Sequence, residues 1–243
     1  MRDRIARIEQ VHSRGPAPRA VPLDILAIDQ ALPGGGIRLG ALHEAVSAGP
    51  DTEHAAAATL FTAGIIARLD GPVLWVLRQA DLFAPGLASA GLHPDRVLFA
   101  EAGRNVLPIA EEGLRHPGLA AVVVEPAGRI GLTASRRLQL AAEQSGVLAM
   151  LLRRSQGFDD PVLAEPSAAV TRWRVAMQPS PPALPHAPGV SGLGRARWRL
   201  ELMRCRGGEA GSWIVEACDA TGHLGMAADM ADGSDQETVR LSA

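Results

Sequence analysis

The chain has 243 residues, of which 47% are hydrophobic and 21% charged, so it can bury a substantial core and is not a disordered protein. Its formal net charge of −2 gives no overall positive field of the kind that attracts nucleic acid. No apolar run reaches the length of a membrane span, and the charged first residues are unlike a secretory signal, so we predict a cytoplasmic protein without a membrane partner.

The types of basic and sulfur-containing residues narrow the chemistry further. All 24 basic residues are arginines, and lysine and tyrosine are both absent. The two cysteines, Cys205 and Cys218, lack the spacing of a metal site, and the histidines form no ligand pattern, so we predict reduced thiols and no bound metal. We also predict no cofactor.

The first 20 residues predict a short helix followed by a linker. Ile5, Ile8 and Val11 recur at helical spacing, and a stretch rich in glycine and proline ends the pattern. We interpret this segment as an arm attached to the globular part of the chain.

Residues 21–177 alternate between apolar runs and helical patterns. The runs that predict buried strands fall at 72–77, 97–100, 120–125 and 146–152. The helical patterns fall at 55–69, 84–91, 106–115 and 133–145. This alternation predicts an α/β fold with a mostly parallel sheet that is flanked by helices on both faces.

The composition changes after Met177. Residues 178–189 are rich in proline and predict a linker, because proline cannot continue a sheet. Within residues 190–243, the alternating segments 196–204 and 212–217 predict a β-hairpin around Gly207-Gly208, followed by an acidic, polar tail. We therefore expect the hairpin to be separable from the core, with an apolar face that covers either the edge of the core or a partner.

The order of the segments resembles that of the RecA fold. A glycine-rich turn leads into a strand that ends at Gly49-Pro50, a helix and a buried strand follow, and Glu125 ends the strand at which RecA has its magnesium-associated acid. More narrowly, four segments are similar to the ImuA family, and together they extend over nearly the whole chain. They are Leu42-His43-Glu44, residues 135–143, residues 171–174 and residues 197–208.

The resemblance implies a role in bacterial mutagenesis induced by DNA damage. ImuA-family proteins resemble RecA-like accessory factors that are expressed with a partner called ImuB and with an error-prone polymerase. The expected partners are therefore an ImuB-like Y-family-type protein and an error-prone replicative-type polymerase, with RecA as a further candidate. We expect any contact with DNA to be weak or indirect.

A working phosphate loop needs two glycines followed by a lysine and a hydroxyl residue. When Gly49 and Pro50 are aligned with the start of that loop, His54 takes the second glycine position, and Ala55 and Ala56 take the lysine and hydroxyl positions. No other register restores the lysine, because the chain has none. Arginine does not replace a lysine point charge in so narrow a loop.

The acids of RecA-type enzymes are equally incomplete. The segment that follows the second strand, Leu77-Arg78-Gln79-Ala80, contains no carboxylate to activate water, and Asp81 is displaced from that position. Glu125 could still hold magnesium, but a single acid at the end of a strand is more typical of a satisfied strand terminus. We predict a RecA-like pseudo-ATPase with no catalytic residues.

Arginine–tryptophan pairs in the last third of the chain are candidates for partner binding, since both residue types are enriched in interface hot spots. The alternative is that the tryptophans lie in the core and only the arginines point outward. The candidates are Trp173, Arg174, Arg197, Trp198, Arg199, Arg204, Arg206 and Trp213.

Three further expectations concern individual polar residues. We interpret His43-Glu44 as a pair at a strand edge and His54 as an exposed helix start. Arg153 and Arg154 end a strand at the edge where RecA holds DNA, but the acidic loop that follows argues against a strong single-strand site there.

Two other functions stay open at this point. The family also resembles SulA, a division inhibitor that binds FtsZ, and a divergent ATPase with an unusual site is the enzymatic alternative. The C-terminal hairpin favours the mutagenesis role over the shorter SulA-like chains, and the absence of lysine disfavours the ATPase.

Overall fold

The computed structural model describes residues 19–227, apart from positions 156, 158, 159, 162–164, 185 and 188. The helix predicted from Ile5, Ile8 and Val11 and the tail beyond Asp229 lie outside the described residues.

Eleven strands form two sheets in the described part of the chain. The small antiparallel sheet pairs β1 (Ala20–Val21) with β2 (Ile37–Arg38). The large sheet contains, in chain order, β3 (Leu42–Pro50), β4 (Val73–Leu77), β5 (Val97–Glu101), β6 (Ala121–Val124), β7 (Leu148–Ser155), β8 (Thr171–Gln178), β9 (Arg197–Cys205), β10 (Gly211–Glu216) and β11 (Gly225–Met226).

The large sheet has the spatial order β11-β10-β9-β8-β3-β7-β6-β4-β5. Strands β8, β3, β7, β6, β4 and β5 are parallel neighbours, and β9, β10 and β11 add to β8 in antiparallel fashion. The central strands are buried on both faces, which is why their sequences are nearly continuous apolar runs. The carboxyl ends of β3, β4, β6 and β7 consequently meet at one edge of the sheet.

Helices cover the sheet on both faces and create two hydrophobic cores. The α-helices are α1 (Leu26–Ala31), α2 (Asp51–Ala67), α3 (Val106–Leu114) and α4 (Leu132–Ser145). The first core includes Phe61 of α2 and Trp75 of β4, and the second includes Leu138 of α4 and Val122 of β6. We name the two sides of the sheet the α2 face and the α4 face.

The elements predicted from the sequence are confirmed within a few residues in the core. The four predicted buried strands correspond to β4, β5, β6 and β7, and three of the four predicted helices correspond to α2, α3 and α4. The fourth, at Ala84–Ala90, is a 3-10 helix that ends at Gly91, whose φ of 84° lies in the left-handed region. The small elements β1, β2 and α1 were not predicted.

The C-terminal hairpin is present, but its predicted separation from the core is corrected. Strand β9 pairs with β8 from Thr171↔Cys205 to Gln178↔Arg197, so the proline-rich segment leads the chain back to the same sheet. Trp198, Leu200 and Leu202 belong to the same core as Phe61. The hairpin extends the sheet of the core, and its buried side chains belong to the core on the α2 face.

Two further observations concern membrane spans and the cysteines. No helix in the described residues is long and apolar enough to span a bilayer. Cys205 is half-buried and Cys218 is buried, and both are free thiols. Burial raises the pKa of the Cys218 thiol to about 12, so it stays protonated at neutral pH.

Candidate functional site

A polar cleft lies where the carboxyl ends of β3, β4, β6 and β7 meet. It has a volume of about 190 Å³, which is below the range of roughly 300–1,000 Å³ typical of small-molecule sites. Asp51 begins α2, Asp81 follows β4, Glu125 follows β6, and Arg154 lies on β7. In open α/β sheets, this edge is where ligands bind.

The side chain of Arg154 links three strand ends across this cleft. It donates two hydrogen bonds to Asp81, at 2.7 and 2.9 Å, and one to Oε2 of Glu125, at 2.9 Å. Burial opposes the charge of Arg154, but the hydrogen bonds to Asp81 and the charge of Glu125 raise its pKa above the ordinary value. We name Arg154, Asp81 and Glu125 the arginine clamp.

The two acids of the clamp differ in environment. The hydrogen bonds from Arg154 lower the pKa of Asp81, whereas burial raises the pKa of Glu125, which is only 6% exposed. Oε1 of Glu125 accepts a hydrogen bond of 2.5 Å from Nε1 of Trp75. Both oxygens of Glu125 therefore have protein donors, and the guanidinium of Arg154 is the cation beside them.

The predicted phosphate loop is absent as a loop, because β3 ends at Pro50 and α2 begins at Asp51. His54, Ala55 and Ala56 lie inside the helix, so no backbone wraps a phosphate at these positions. Pro50 has no N–H to offer, and the carboxylates of Asp51 and Glu53 already complement the positive end of the helix dipole.

His54 is buried, so its interpretation as an exposed helix start is wrong. Its side chain is part of the contact between α2 and β8, where Nδ1 accepts a hydrogen bond of 3.1 Å from the backbone N–H of Met177. Ala55 is half-buried beside it, and Ala56 is exposed. The residue in the second glycine position thus has a packing role.

His43-Glu44 is not a pair at a strand edge, because β3 lies between β7 and β8 in the middle of the sheet. Nδ1 of His43 lies 2.7 Å from Oγ1 of Thr171, and Nε2 lies 2.8 Å from the backbone oxygen of Arg38. Burial lowers the pKa of His43 to about 4, so the ring is neutral at pH 7 and donates from Nε2 to that oxygen.

Glu44 and Arg153 belong to a buried ion network. Arg172 Nε donates to Glu44 at 2.5 Å, Arg153 donates to Glu165 at 2.7 Å, and Arg129 donates to the other oxygen of Glu165. Burial alone would raise the pKa of Glu165, but the hydrogen bonds from Arg153 and Arg129 lower it. Arg153 is only 2% exposed, so it does not contribute to a DNA-facing edge.

The sheet divides the partner-binding candidates between its two faces. Trp173 and Trp198 are 0% and 1% exposed in the core on the α2 face, so the prediction that they contact a partner is wrong. Half-buried Trp213 packs beside them, with its ring centroid 6.3 Å from that of Trp173. The alternative interpretation, with tryptophans inside and arginines outside, describes these strands.

The arginine candidates differ in how far they are neutralised. Arg174 is paired with Glu201, Arg197 is half-buried, and Arg199 is exposed. Exposed Arg204 and Arg206 donate to the backbone oxygens of Ser167 and Ala168, respectively. Only a subset of the predicted residues can therefore meet a partner.

The arginine clamp was not predicted as a unit. Arg154, Asp81 and Glu125 each stand out in the sequence, but Asp81 lies 73 positions and Glu125 lies 29 positions before Arg154 in the chain. The available signal was that each residue follows or ends a predicted parallel strand, because such ends meet at one edge.

No group of three metal-ligating side chains suitable for an ion occurs among the described residues.

The sheet order, the helices on both faces and the cleft at the strand ends define a RecA-like α/β protein. The solved structure of the RadB recombinase is similar, with a TM-score of 0.56 and 15% identity over 80% of this chain and 94% of that chain.

Among curated proteins, Protein ImuA of Caulobacter vibrioides strain NA1000 / CB15N is 42% identical in an alignment of 207 residues, and the match covers 81% of this chain and 82% of the relative. A second strain of that species has a Protein ImuA with the same identity and coverage. No protein-family model matches the chain. The chain belongs to the ImuA family.

Proposed function

We propose that this protein is a non-hydrolysing RecA-like accessory subunit of damage-induced mutagenesis. Membership in the ImuA family supports a role in damage-induced mutagenesis. It also favours this role over that of a SulA-like division inhibitor. In this role the chain binds an ImuB-like partner and, through it, an error-prone polymerase, with RecA as a further candidate partner.

The arginine clamp is the observation that carries the non-hydrolysing part of the proposal. A nucleotide hydrolase needs a phosphate loop, a lysine and a metal-binding acid that is free to act. Here α2 begins directly after β3, lysine is absent, and the guanidinium of Arg154 lies against Glu125. Any nucleotide phosphate that entered the cleft would also meet the carboxylates of Asp51 and Asp81.

The proposal is tested by calorimetry with Mg-ATP on the full chain, with an active RecA-type ATPase as the positive control. We expect no saturable heat of binding and no phosphate release. Low-micromolar binding would overturn the proposal. Loss of that binding in Glu125→Gln, a change that keeps the size of the side chain, would locate the nucleotide in this cleft.

The pathway is tested separately in a bacterial strain that lacks this protein. We expect the strain to show fewer mutations after ultraviolet damage and to recover them when the wild-type chain is restored. An undiminished frequency in the deleted strain would contradict the proposed role, whatever the chain binds.

A further inference from the structure

A second groove lies on the α4 face, away from the arginine clamp. Its lining comes from α4, from the segment 166–168, and from Arg204 and Arg206 at the end of β9. The groove has a volume of about 510 Å³, larger than the cleft at the clamp. We name it the arginine groove, after Arg136, Arg204 and Arg206 in its lining.

Two of these arginines are held in place without being neutralised. Arg204 Nη1 donates to the backbone oxygen of Ser167 at 2.5 Å, and Arg206 Nη2 donates to that of Ala168 at 3.1 Å. A guanidinium has five N–H donors, so each side chain keeps donors for a ligand. Backbone carbonyls orient these arginines but do not cancel their charge.

The groove is positive because its three arginines have no acidic partners in the part of the chain that the structure describes. None of Arg136, Arg204 and Arg206 forms an ion pair with a described carboxylate, whereas the neighbouring Arg137 is paired with Glu111 at 2.6 Å. Glu143, which also lines the groove, lies 3.7 Å from Arg38 and accepts a hydrogen bond from Gln139. The carboxylate of Glu143 thus already interacts with Arg38 and Gln139, which limits how far it can neutralise the groove arginines.

Apolar side chains stand beside the positive charges. Leu132 and Leu140 line the groove, are 38% and 55% exposed, and flank Arg136 at spacings of four residues along α4. Residues four apart share one side of a helix, so leucine, arginine and leucine form a single stripe. Exposed leucines next to a positive groove mark a surface suited to a ligand with both apolar and acidic groups.

We propose that the arginine groove binds an acidic amphipathic segment of a protein partner. Acidic side chains of that segment pair with Arg136, Arg204 and Arg206, and its apolar side chains cover Leu132 and Leu140. Charge complementarity selects the acidic partner, and the leucines select a protein over a nucleic acid. Among the residues that the structure describes, no aromatic side chain lines the groove to stack on a base. This inference rests on the proposed function, because it names the surface by which the subunit is recruited.

The direct test is fluorescence anisotropy with a labelled synthetic peptide in which leucines recur at helical spacing among aspartates and glutamates. We expect saturable binding to the full chain that weakens as salt rises. The double variant Arg136→Glu/Leu140→Ser changes only exposed side chains and should weaken binding by about tenfold or more. Arg104→Glu, an exposed arginine outside the groove, is the matched control and should bind like the wild type.

Three results would overturn the proposal. One is equal binding of the peptide by the double variant and the wild type. Another is equal binding of a control peptide with serine in place of every leucine. The third is a single-stranded DNA oligonucleotide that displaces the peptide and binds more tightly, which would assign the groove to nucleic acid.

Failure of this inference is distinguishable from failure of the proposed function. The double variant is returned to the bacterial strain that lacks the protein, and protein levels are matched by immunoblot. We expect the double variant to give a frequency of damage-induced mutations close to that of the deleted strain. Full mutagenesis with the double variant would reject the groove and leave the accessory role intact.

Discussion

Removing Arg154 tests whether the arginine clamp stabilises the sheet edge. In Arg154→Ala the buried carboxylate of Glu125 loses its charged partner and keeps only the hydrogen bond from Trp75. Asp81 loses two hydrogen bonds but stays close to water, because its side chain is 33% exposed. The destabilisation therefore arises mainly at Glu125.

The magnitude follows from the burial of the partners. Breaking a fully buried ion pair destabilises a protein by about 3–5 kcal/mol, and an exposed pair contributes about 0–1 kcal/mol. Glu125 is 6% exposed but the side chain of Arg154 is 37% exposed, so this pair lies between those limits. We expect Arg154→Ala to lower the free energy of unfolding by about 2 kcal/mol.

The assay is urea unfolding followed by circular dichroism, with Arg104→Ala as an exposed control that should change stability by less than about 0.5 kcal/mol. Adding Glu125→Gln to Arg154→Ala should restore about 1 kcal/mol, because the double variant no longer buries an unpaired charge.

The pH dependence has a definite sign. Loss of Arg154 raises the pKa of Glu125 further above its unfolded value, so at a pH between the unfolded and the folded pKa the folded variant binds a proton that the unfolded chain does not. The penalty of Arg154→Ala should shrink below the unfolded pKa and grow as pH rises toward neutrality. Wild-type stability of Arg154→Ala, together with no effect of Glu125→Gln in either background, would refute the reasoning.

Two further predictions concern the core. Because burial lowers the pKa of His43 to about 4 from 6.5, its contribution to stability should fall as pH decreases through that interval, by about 3 kcal/mol in all. His43→Gln should remove that part of the pH dependence in urea unfolding, and identical pH profiles would count against it. Trp198→Ala should destabilise by about 3–5 kcal/mol in thermal unfolding, while Arg199→Ala stays within about 0.5 kcal/mol. A stable Trp198→Ala chain would mean that this tryptophan is not a core residue.

Local patterns were sufficient to predict most of the core elements. The runs that became β4, β6 and β7 are apolar at nearly every position because both faces of these strands are buried, and that pattern is visible without knowing the neighbours. The helix α4 was predicted within one residue at its start, since its apolar residues repeat at helical spacing. The hairpin was predicted from alternation around Gly207-Gly208, where φ of Gly207 is 80°.

The prediction of separate parts failed because alternation does not identify a strand's neighbours. The alternation in β9 requires an apolar surface against one face of the strand and allows water at the other. Either a partner protein or the core could provide that apolar surface. Its pairing with β8 buries Trp198 on the α2 face and leaves Arg199 exposed on the other. The proline-rich segment marks the end of β8 but carries no information about where the chain returns.

The sequence by itself determined that no lysine can bind a phosphate, that the core is an α/β sheet, and which residues form its principal elements. Those properties depend on residue type and short-range periodicity. Only the tertiary structure decided that Arg154 joins Asp81 and Glu125, that β3 is central and buries His43, and that Arg136, Arg204 and Arg206 line one groove. Each of these depends on the strand order, which brings together residues that are distant in the chain and is set by packing over the whole sheet.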